Sequence, residues 1–109
     1  MPEALKIIGQ SKPSAAALTD IYTVPSLTST TVSSITVCNQ SATPTSFRVS
    51  VAIAGAADTP AQYLYYDIAI AGNETFAATL GVTLATTDKV RVYNTLATLS
   101  FNLFGVEIT

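Results

Sequence analysis

The sequence predicts an all-β protein, an antiparallel sandwich of two sheets with a jelly-roll or an immunoglobulin-like topology. Short segments alternate between apolar and polar residues, as strands with one buried face do. Turn-forming residues separate these segments at roughly 8–14-residue spacing, which is typical of sandwiches. No segment keeps the period of an amphipathic helix. The chain has 109 residues, which is enough for one domain and too few for two.

The clearest alternation lies in residues 46–55, SFRVSVAIAG. Phe47, Val49, Val51 and Ile53 would share one face of an extended strand, because successive side chains point to opposite faces. A helix would spread the same four residues around its axis. We therefore predict a strand that buries these four side chains, with the rest of the chain supplying its partners.

Two strands are predicted before this central one, at Leu18–Val24 and Thr30–Cys38. Pro25 ends the first, because proline has no backbone N–H to donate to a sheet. The second is rich in β-branched residues, which suit a pleated surface. We expect Thr30–Cys38 to pair with Phe47–Ile53 as a hairpin, since only a turn-like segment separates them.

Further alternating segments follow. In residues 62–70, QYLYYDIAI, every second residue is predicted to face the core, namely Leu64, Tyr66, Ile68 and Ile70. Tyr63 and Tyr65 would then lie on the outer face. The remaining predicted strands are Thr75–Leu80, Lys89–Tyr93 and Thr98–Phe104.

The N-terminal residues 1–17 are predicted to form an arm that reaches a neighbouring molecule, or an edge strand. They contain a short apolar run that includes Leu5, Ile7 and Ile8, followed by a link rich in Pro, Ser and Ala. An arm adds contacts that become ordered only on assembly. Residues 18–109 are predicted to form the single sandwich domain.

The composition is poor in charge. Charged residues make up 11% of the chain, whereas ordinary domains contain about 25%, and Ser and Thr occupy many polar positions. Charge normally keeps a soluble monomer apart from its neighbours. We interpret this exterior as a surface that is largely buried against other subunits; the alternative is a monomer with an uncharged surface.

Charge and targeting signals limit the classes of partner. The net charge is -2, and the basic residues are scattered, whereas a nucleic-acid-binding protein needs a basic stripe. The same pattern disfavours electrostatic anchoring to a membrane, and no apolar run approaches the length of a membrane span. Cys38 is the only cysteine, so no disulfide forms within one chain, and its thiol is expected to be buried. No signal peptide is visible, so synthesis in the cytoplasm is expected.

The sequence contains no constellation for catalysis. It has no histidine and one cysteine, which removes the Ser–His–Asp and Cys–His arrangements and a structural zinc site within one chain. The carboxylates show no paired spacing, and Asp58, Glu74 and Asp88 are interpreted as turn residues. No glycine-rich phosphate loop is present. The sequence therefore predicts a non-enzymatic protein without a cofactor or a metal.

Tyr63 and Tyr65 form the one suggestive cluster, because both are predicted to project outward. Exposed tyrosines are good anchors for protein interfaces and for stacking against sugars. The alternative is that both rings cover the sheet of their own subunit. Together with Leu5, Ile7 and Ile8, they are the candidate interface residues.

Several stretches in a fixed order carry a resemblance to a known family. They are LKIIGQ, LTDIYTVP, VSSITVCNQ, FRVSVAIAGAA, QYLYYDIAI, ETFAATLGVTLATTDKVRVY and LSFNLFGVEI. The chain resembles a group of small virion proteins of tailed bacteriophages over almost its whole length. The resemblance depends on the order of these blocks, since none is a catalytic motif. It implies a structural β-sandwich that acts in many copies on a virus particle, with no catalytic residues.

From these observations we expect a non-enzymatic bacteriophage virion structural protein, a capsid decoration or cement protein made in the host cytoplasm. It would bind the capsid surface as a homotrimer or larger oligomer, with the major capsid protein or another virion protein as its partner. Nucleic acid and membrane are not expected partners. The first alternative is a tail, neck, baseplate or fibre component. The second is a carbohydrate-binding module used in adhesion, which would depend on Tyr63 and Tyr65.

Overall fold

The computed structural model describes residues 2–109, and these form eight strands. The strands are β1 Glu3–Ser11, β2 Thr19–Thr23, β3 Ser29–Asn39, β4 Thr45–Ala52, β5 Tyr63–Ile70, β6 Thr75–Leu84, β7 Lys89–Asn94 and β8 Leu99–Ile108. Two single 3-10 turns, Ile53–Gly55 and Pro60–Gln62, connect β4 to β5. In the part of the chain so described, no helix is long and apolar enough to cross a membrane.

The strands form two four-stranded antiparallel sheets, which confirms the predicted two-sheet sandwich. Sheet A has the order β1-β8-β3-β6, and sheet B has the order β2-β7-β4-β5. The first strand pairs with the last, the second with the seventh, the third with the sixth and the fourth with the fifth. The chain is therefore one long hairpin rolled into two sheets, which is the jelly-roll arrangement.

The expected hairpin between Thr30–Cys38 and Phe47–Ile53 is wrong. β3 lies in sheet A between β8 and β6, whereas β4 lies in sheet B between β7 and β5. Among residues 2–109, β4 and β5 are the only strands that are both consecutive and paired. In a rolled hairpin each of the other connections crosses from one sheet to the other, so strands that are neighbours in sequence face each other across the core.

The core lies between the two sheets. Phe47 of β4 and Phe101 of β8 are fully buried, and their ring centroids are 6.1 Å apart in an edge-to-face arrangement. Phe76 of β6 packs on Phe47, and the centroids of the two rings are 5.1 Å apart. Aliphatic side chains fill the remaining space, among them Val32, Ile35, Val37, Val49, Val92, Leu99 and Leu103. Such edge-to-face pairs add stability beyond the area that they bury.

The central strand ends earlier than its alternation predicts. Phe47 and Val49 are buried and Val51 is half-buried, but Ile53 is 81% exposed, so its predicted burial is wrong. After Ala52 the chain leaves the sheet through the first 3-10 turn, in which Ala54 has a φ of 53°. Alternation cannot reveal this exit, because apolar residues continue past the last ladder hydrogen bond.

The N-terminal segment forms the edge strand β1, which pairs with β8 in sheet A. Ile8 is the extra residue of a β-bulge between Ile7 and Gly9, and it packs against the core. Cys38, expected to be buried, is half-buried, and its register with Thr75 and Ser100 places it on the outer face of sheet A.

Candidate functional site

The outer face of sheet A is nearly free of charge. β3 and β6 contain no charged residue, and β1 and β8 contain Glu3, Lys6 and Glu107 among them. Lys6 and Glu107 form an ion pair with each other and have the inward phase, so of these three Glu3, the partner of Ile108, is the one on the outer face. We call this surface the uncharged face, and its outward residues include Leu5, Ile7, Thr31, Ser34, Thr36, Ala77, Thr79, Thr83, Phe104, Val106 and Ile108.

One half of the uncharged face is an apolar ridge. Leu5 is 79% exposed and Ile7 is 54% exposed. They lie opposite Val106 and Phe104 of β8, which are half-buried, and cross-strand partners project from the same face of a sheet. Exposed aliphatic side chains that adjoin one another, rather than being scattered, indicate an interaction surface.

The other half of the uncharged face is built from small side chains. Ser34 and Thr36 of β3 pair with Thr79 and Ala77 of β6. These residues line a shallow depression of about 190 Å³. The uncharged face therefore places a ridge of large apolar residues beside a hollow of small ones, which offers both halves of a complementary contact.

The outer face of sheet B, the charged face, has the opposite character. Asp20 accepts hydrogen bonds from Lys89 Nζ at 2.8 Å and Arg91 Nε at 3.0 Å. The bond from Lys89 is the main cause that lowers the pKa of Asp20, and Arg91 adds to it. Arg91 also donates to the carbonyl oxygens of Gly55 and Ala56. Charge on this face is thus paired internally and holds the β4–β5 connection in place.

A third ion pair on the charged face, between Arg48 and Asp67, forms at a β-bulge in β5. Phe47 pairs with Ile68 and Val49 pairs with Tyr65, so the single residue Arg48 stands opposite both Tyr66 and Asp67. Two residues facing one define a bulge, and the φ of Asp67 is 51°.

Arg48 contacts both residues of this bulge. Arg48 Nε donates to Asp67 Oδ1 at 2.6 Å, and Nη2 donates to Oδ2 at 3.3 Å. The hydrogen bonds to Asp67 raise the pKa of Arg48. The guanidinium carbon lies 4.2 Å from the ring centroid of Tyr66 and 4.6 Å from that of Tyr93, within the distance of a cation–π contact.

The bulge overturns the predicted orientation of Tyr65 and Tyr66. The extra residue in the bulge reverses the alternation of side chains along β5, so Tyr66 lies on the outer face and is 57% exposed. Tyr65 packs against the core instead, and its ring centroid lies 5.4 Å from that of Phe76. A second extra residue, Leu64, restores the phase before Tyr63. Leu64 lies at the rim of the core and remains 42% exposed.

Tyr63, Tyr66 and Arg48 line a groove with the loop residues Asp58, Thr59 and Pro60. We call it the tyrosine groove, and its volume is about 470 Å³. The rings of Tyr63 and Tyr66 are perpendicular, with centroids 5.1 Å apart. Tyr63 donates its hydroxyl proton to Asp58 Oδ2 at 2.9 Å. Partial burial, followed by this bond to Asp58, raises the pKa of the Tyr63 hydroxyl.

A polar cluster joins the two sheets at one end of the sandwich. Tyr22 of β2 is bonded to Thr30 Oγ1 at 2.7 Å and donates to Glu107 Oε2 at 2.6 Å. Burial, and then the bond to Glu107, raises the pKa of Tyr22 to about 12. The bond from Lys6, and then that from Tyr22, lowers the pKa of Glu107. Through these bonds the cluster joins β1, β2, β3 and β8.

The five residues expected at an interface are thus separated by the structure. Leu5 and Ile7 lie on the uncharged face, whereas their neighbour Ile8 points into the core. Tyr63 lies in the tyrosine groove and Tyr65 in the core.

Sequence reasoning missed Phe104 and Val106 of the ridge and Tyr66 of the groove. Phe104 and Val106 alternate with the core residues of β8, a signal that was present in the sequence. Tyr66 becomes an outer residue only because of the bulge, for which the apolar pattern holds no signal.

A scan against protein-family models finds no match, and a search of curated proteins finds no significant similarity. Among residues 2–109, no group of three or more His, Cys, Asp or Glu side chains is arranged to hold a metal ion.

Proposed function

We propose that this chain is a non-enzymatic structural protein of a bacteriophage particle, a capsid decoration protein that binds the capsid surface as a homotrimer or larger oligomer. The observation that carries the proposal is the difference between the two outer faces. Sheet B presents internally paired charges to water, and sheet A presents an uncharged face with an exposed apolar ridge.

The uncharged face suits burial against protein. Removing a charged side chain from water without a partner costs several kcal/mol, whereas a Ser or Thr hydroxyl costs about 1–3 kcal/mol if it finds no hydrogen bond and less if it does. Leu5, Ile7 and the half-buried Phe104, Val106 and Ile108 gain roughly 25 cal/mol for each Å² of apolar surface that is covered. A face of this kind favours an obligate oligomer over a stable monomer.

We place the protein on a phage particle because its sequence blocks resemble, in their order, those of small phage virion proteins. The ridge alone is compatible with any obligate assembly, because fold and surface do not determine function.

The proposal is tested on purified virions of the phage that produces this chain. We expect a specific antibody to detect the chain in mature particles at high copy number and to decorate the capsid in negative stain. Labelling confined to the tail, neck or baseplate would replace the capsid assignment with the alternative structural role. Absence of the chain from mature particles would refute a virion role altogether.

A further inference from the structure

We propose that the tyrosine groove on the charged face is a binding site for a neutral saccharide. The proposal goes beyond the structural role, because the groove lies on sheet B and the uncharged face lies on sheet A.

The groove has a rigid frame. Its floor is the β-bulge at Tyr66 and Asp67, where Arg48 is held by two hydrogen bonds and lies between the rings of Tyr66 and Tyr93. Its wall is the loop before β5. That loop is closed by Gln62, which donates to the carbonyl oxygen of Ala57 at 3.0 Å and accepts from the backbone N–H of Thr59 at 3.4 Å. A site held in place before binding loses less entropy when a ligand arrives.

Charges of both signs in the groove disfavour a charged ligand. Arg48 is paired with Asp67, and Asp58 adds a second carboxylate close by. An acidic ligand would meet the negative charges of Asp58 and Asp67. A cationic ligand would meet the guanidinium of Arg48, which lies 4.2 Å from the centroid of the Tyr66 ring. A neutral ligand meets neither repulsion.

The remaining groups match the surface of a sugar ring. Tyr66 is 57% exposed and, with Pro60, offers an apolar platform against which the C–H face of a pyranose can pack. Asp58 retains free acceptor capacity on its carboxylate, and Thr59 adds a hydroxyl-bearing side chain at the same wall. Sugar hydroxyls are donors that a carboxylate accepts well. The volume of about 470 Å³ is within the range of small-molecule sites.

A neutral proline-rich peptide fits less well than a sugar. Arg48 uses its Nε–H and one Nη2–H on Asp67, which leaves guanidinium N–H groups free to donate. The groove therefore offers donors on Arg48 beside the acceptors of Asp58. A sugar hydroxyl both donates and accepts and can use both groups, whereas a proline-rich peptide has few N–H groups to donate to Asp58.

The test uses the intact, isotope-labelled chain. It is screened on an array of neutral oligosaccharides of glucose, galactose, mannose and N-acetylglucosamine, with sialylated glycans as the acidic set. The best neutral binder is then titrated by NMR, and choline and a proline-rich peptide are titrated in the same way. We expect binding, with shift changes centred on Tyr63, Tyr66 and Asp58.

Four variants locate the site. Tyr66→Ala should weaken binding about tenfold or more, because it removes the platform. Tyr66→Phe should retain binding, because it keeps the ring. Asp58→Asn should weaken binding severalfold. Leu27→Ala, at a residue that is 91% exposed in the turn before β3, is the control and should bind like the unaltered chain. Far-UV circular dichroism verifies that each variant is folded.

Three results would overturn the proposal. The first is no binding to any neutral oligosaccharide on the array or at millimolar concentration by NMR. The second is a preference for sialylated glycans, for choline or for a proline-rich peptide. The third is a folded Tyr66→Ala variant that binds as tightly as the unaltered chain. None of these results would bear on the presence of the chain in virions, so the two proposals fail separately.

Discussion

The hydroxyl of Tyr22 donates a hydrogen bond to Glu107 at 2.6 Å and so ties sheet B to sheet A. Tyr22 lies on β2 and Glu107 lies on β8, far apart in sequence. Lys6 of the edge strand pairs with the same carboxylate. The Glu107 carboxylate therefore joins β1, β2 and β8. Its protonation should change the free energy of unfolding of the whole sandwich.

We predict that acid removes the contribution of Glu107. Its pKa in the folded protein is lowered from 4.5 by Lys6 and Tyr22, so the stabilisation is present above pH 4.5 and is lost as the pH falls through the folded pKa. Glu107→Gln should cost about 1–3 kcal/mol at pH 7, the usual value of hydrogen bonds to a charged group. The difference from the unaltered chain should narrow at acid pH. Urea unfolding at a series of pH values measures it, with Glu74→Gln in the exposed β5–β6 turn as control. If the difference in unfolding free energy between the unaltered chain and Glu107→Gln does not change with pH, the Glu107 carboxylate does not stabilise the fold as we predict.

We predict opposite outcomes at two adjacent tyrosines. Tyr65→Ala should lower the free energy of unfolding by about 2–4 kcal/mol, because the ring packs on Phe76 and the core. Tyr66→Ala should cost about 1 kcal/mol or less, because that ring is mostly exposed and loses chiefly its contact with Arg48. Chemical denaturation measures the free energy of unfolding of both variants and so shows which of the two tyrosines faces the core. A larger loss at Tyr66 than at Tyr65 would show that the bulge at Asp67 is absent.

We predict that a charge on the apolar ridge blocks self-association. The unaltered chain should sediment as a trimer or larger species, whereas Leu5→Lys and Ile7→Lys should sediment as monomers, because a buried unpaired ammonium is costly. Leu27→Lys, in a turn outside sheet A, should leave the assembly unchanged. Point substitutions are preferable to removing the N-terminal segment, since that deletion would strip β1 from β8. A monomeric unaltered chain would mean that the ridge is covered only on the particle or by another protein.

We predict that the two central phenylalanines are coupled. Phe47→Ala and Phe101→Ala should each cost about 3–5 kcal/mol, the usual loss for a buried aromatic side chain, because both are fully buried. The double variant should lose less than the sum, since the rings are in contact at 6.1 Å and each substitution removes part of the same packing. Equilibrium urea unfolding provides the three values. A mild effect at either residue would place it outside the core.

Three strands show how far the sequence could go. In β4, β7 and β8, the alternation identifies most of the buried apolar residues, from Phe47 and Val49 to Val92 and Leu103. Side chains of a strand must alternate, so a half-buried strand leaves a period that can be read directly. The all-β class is of this local kind.

The sequence by itself thus determined the strands and, along regular strands, the residues that face the core. Only the tertiary structure decided which strands pair, because a rolled hairpin places β3 and β4 in different sheets. It also decided the phase of β5, since one extra residue at the bulge exchanges the roles of Tyr65 and Tyr66. Pairing and bulges are properties of two strands in contact, so no pattern along one strand can encode them. The uncharged face and the tyrosine groove both depend on those pairings.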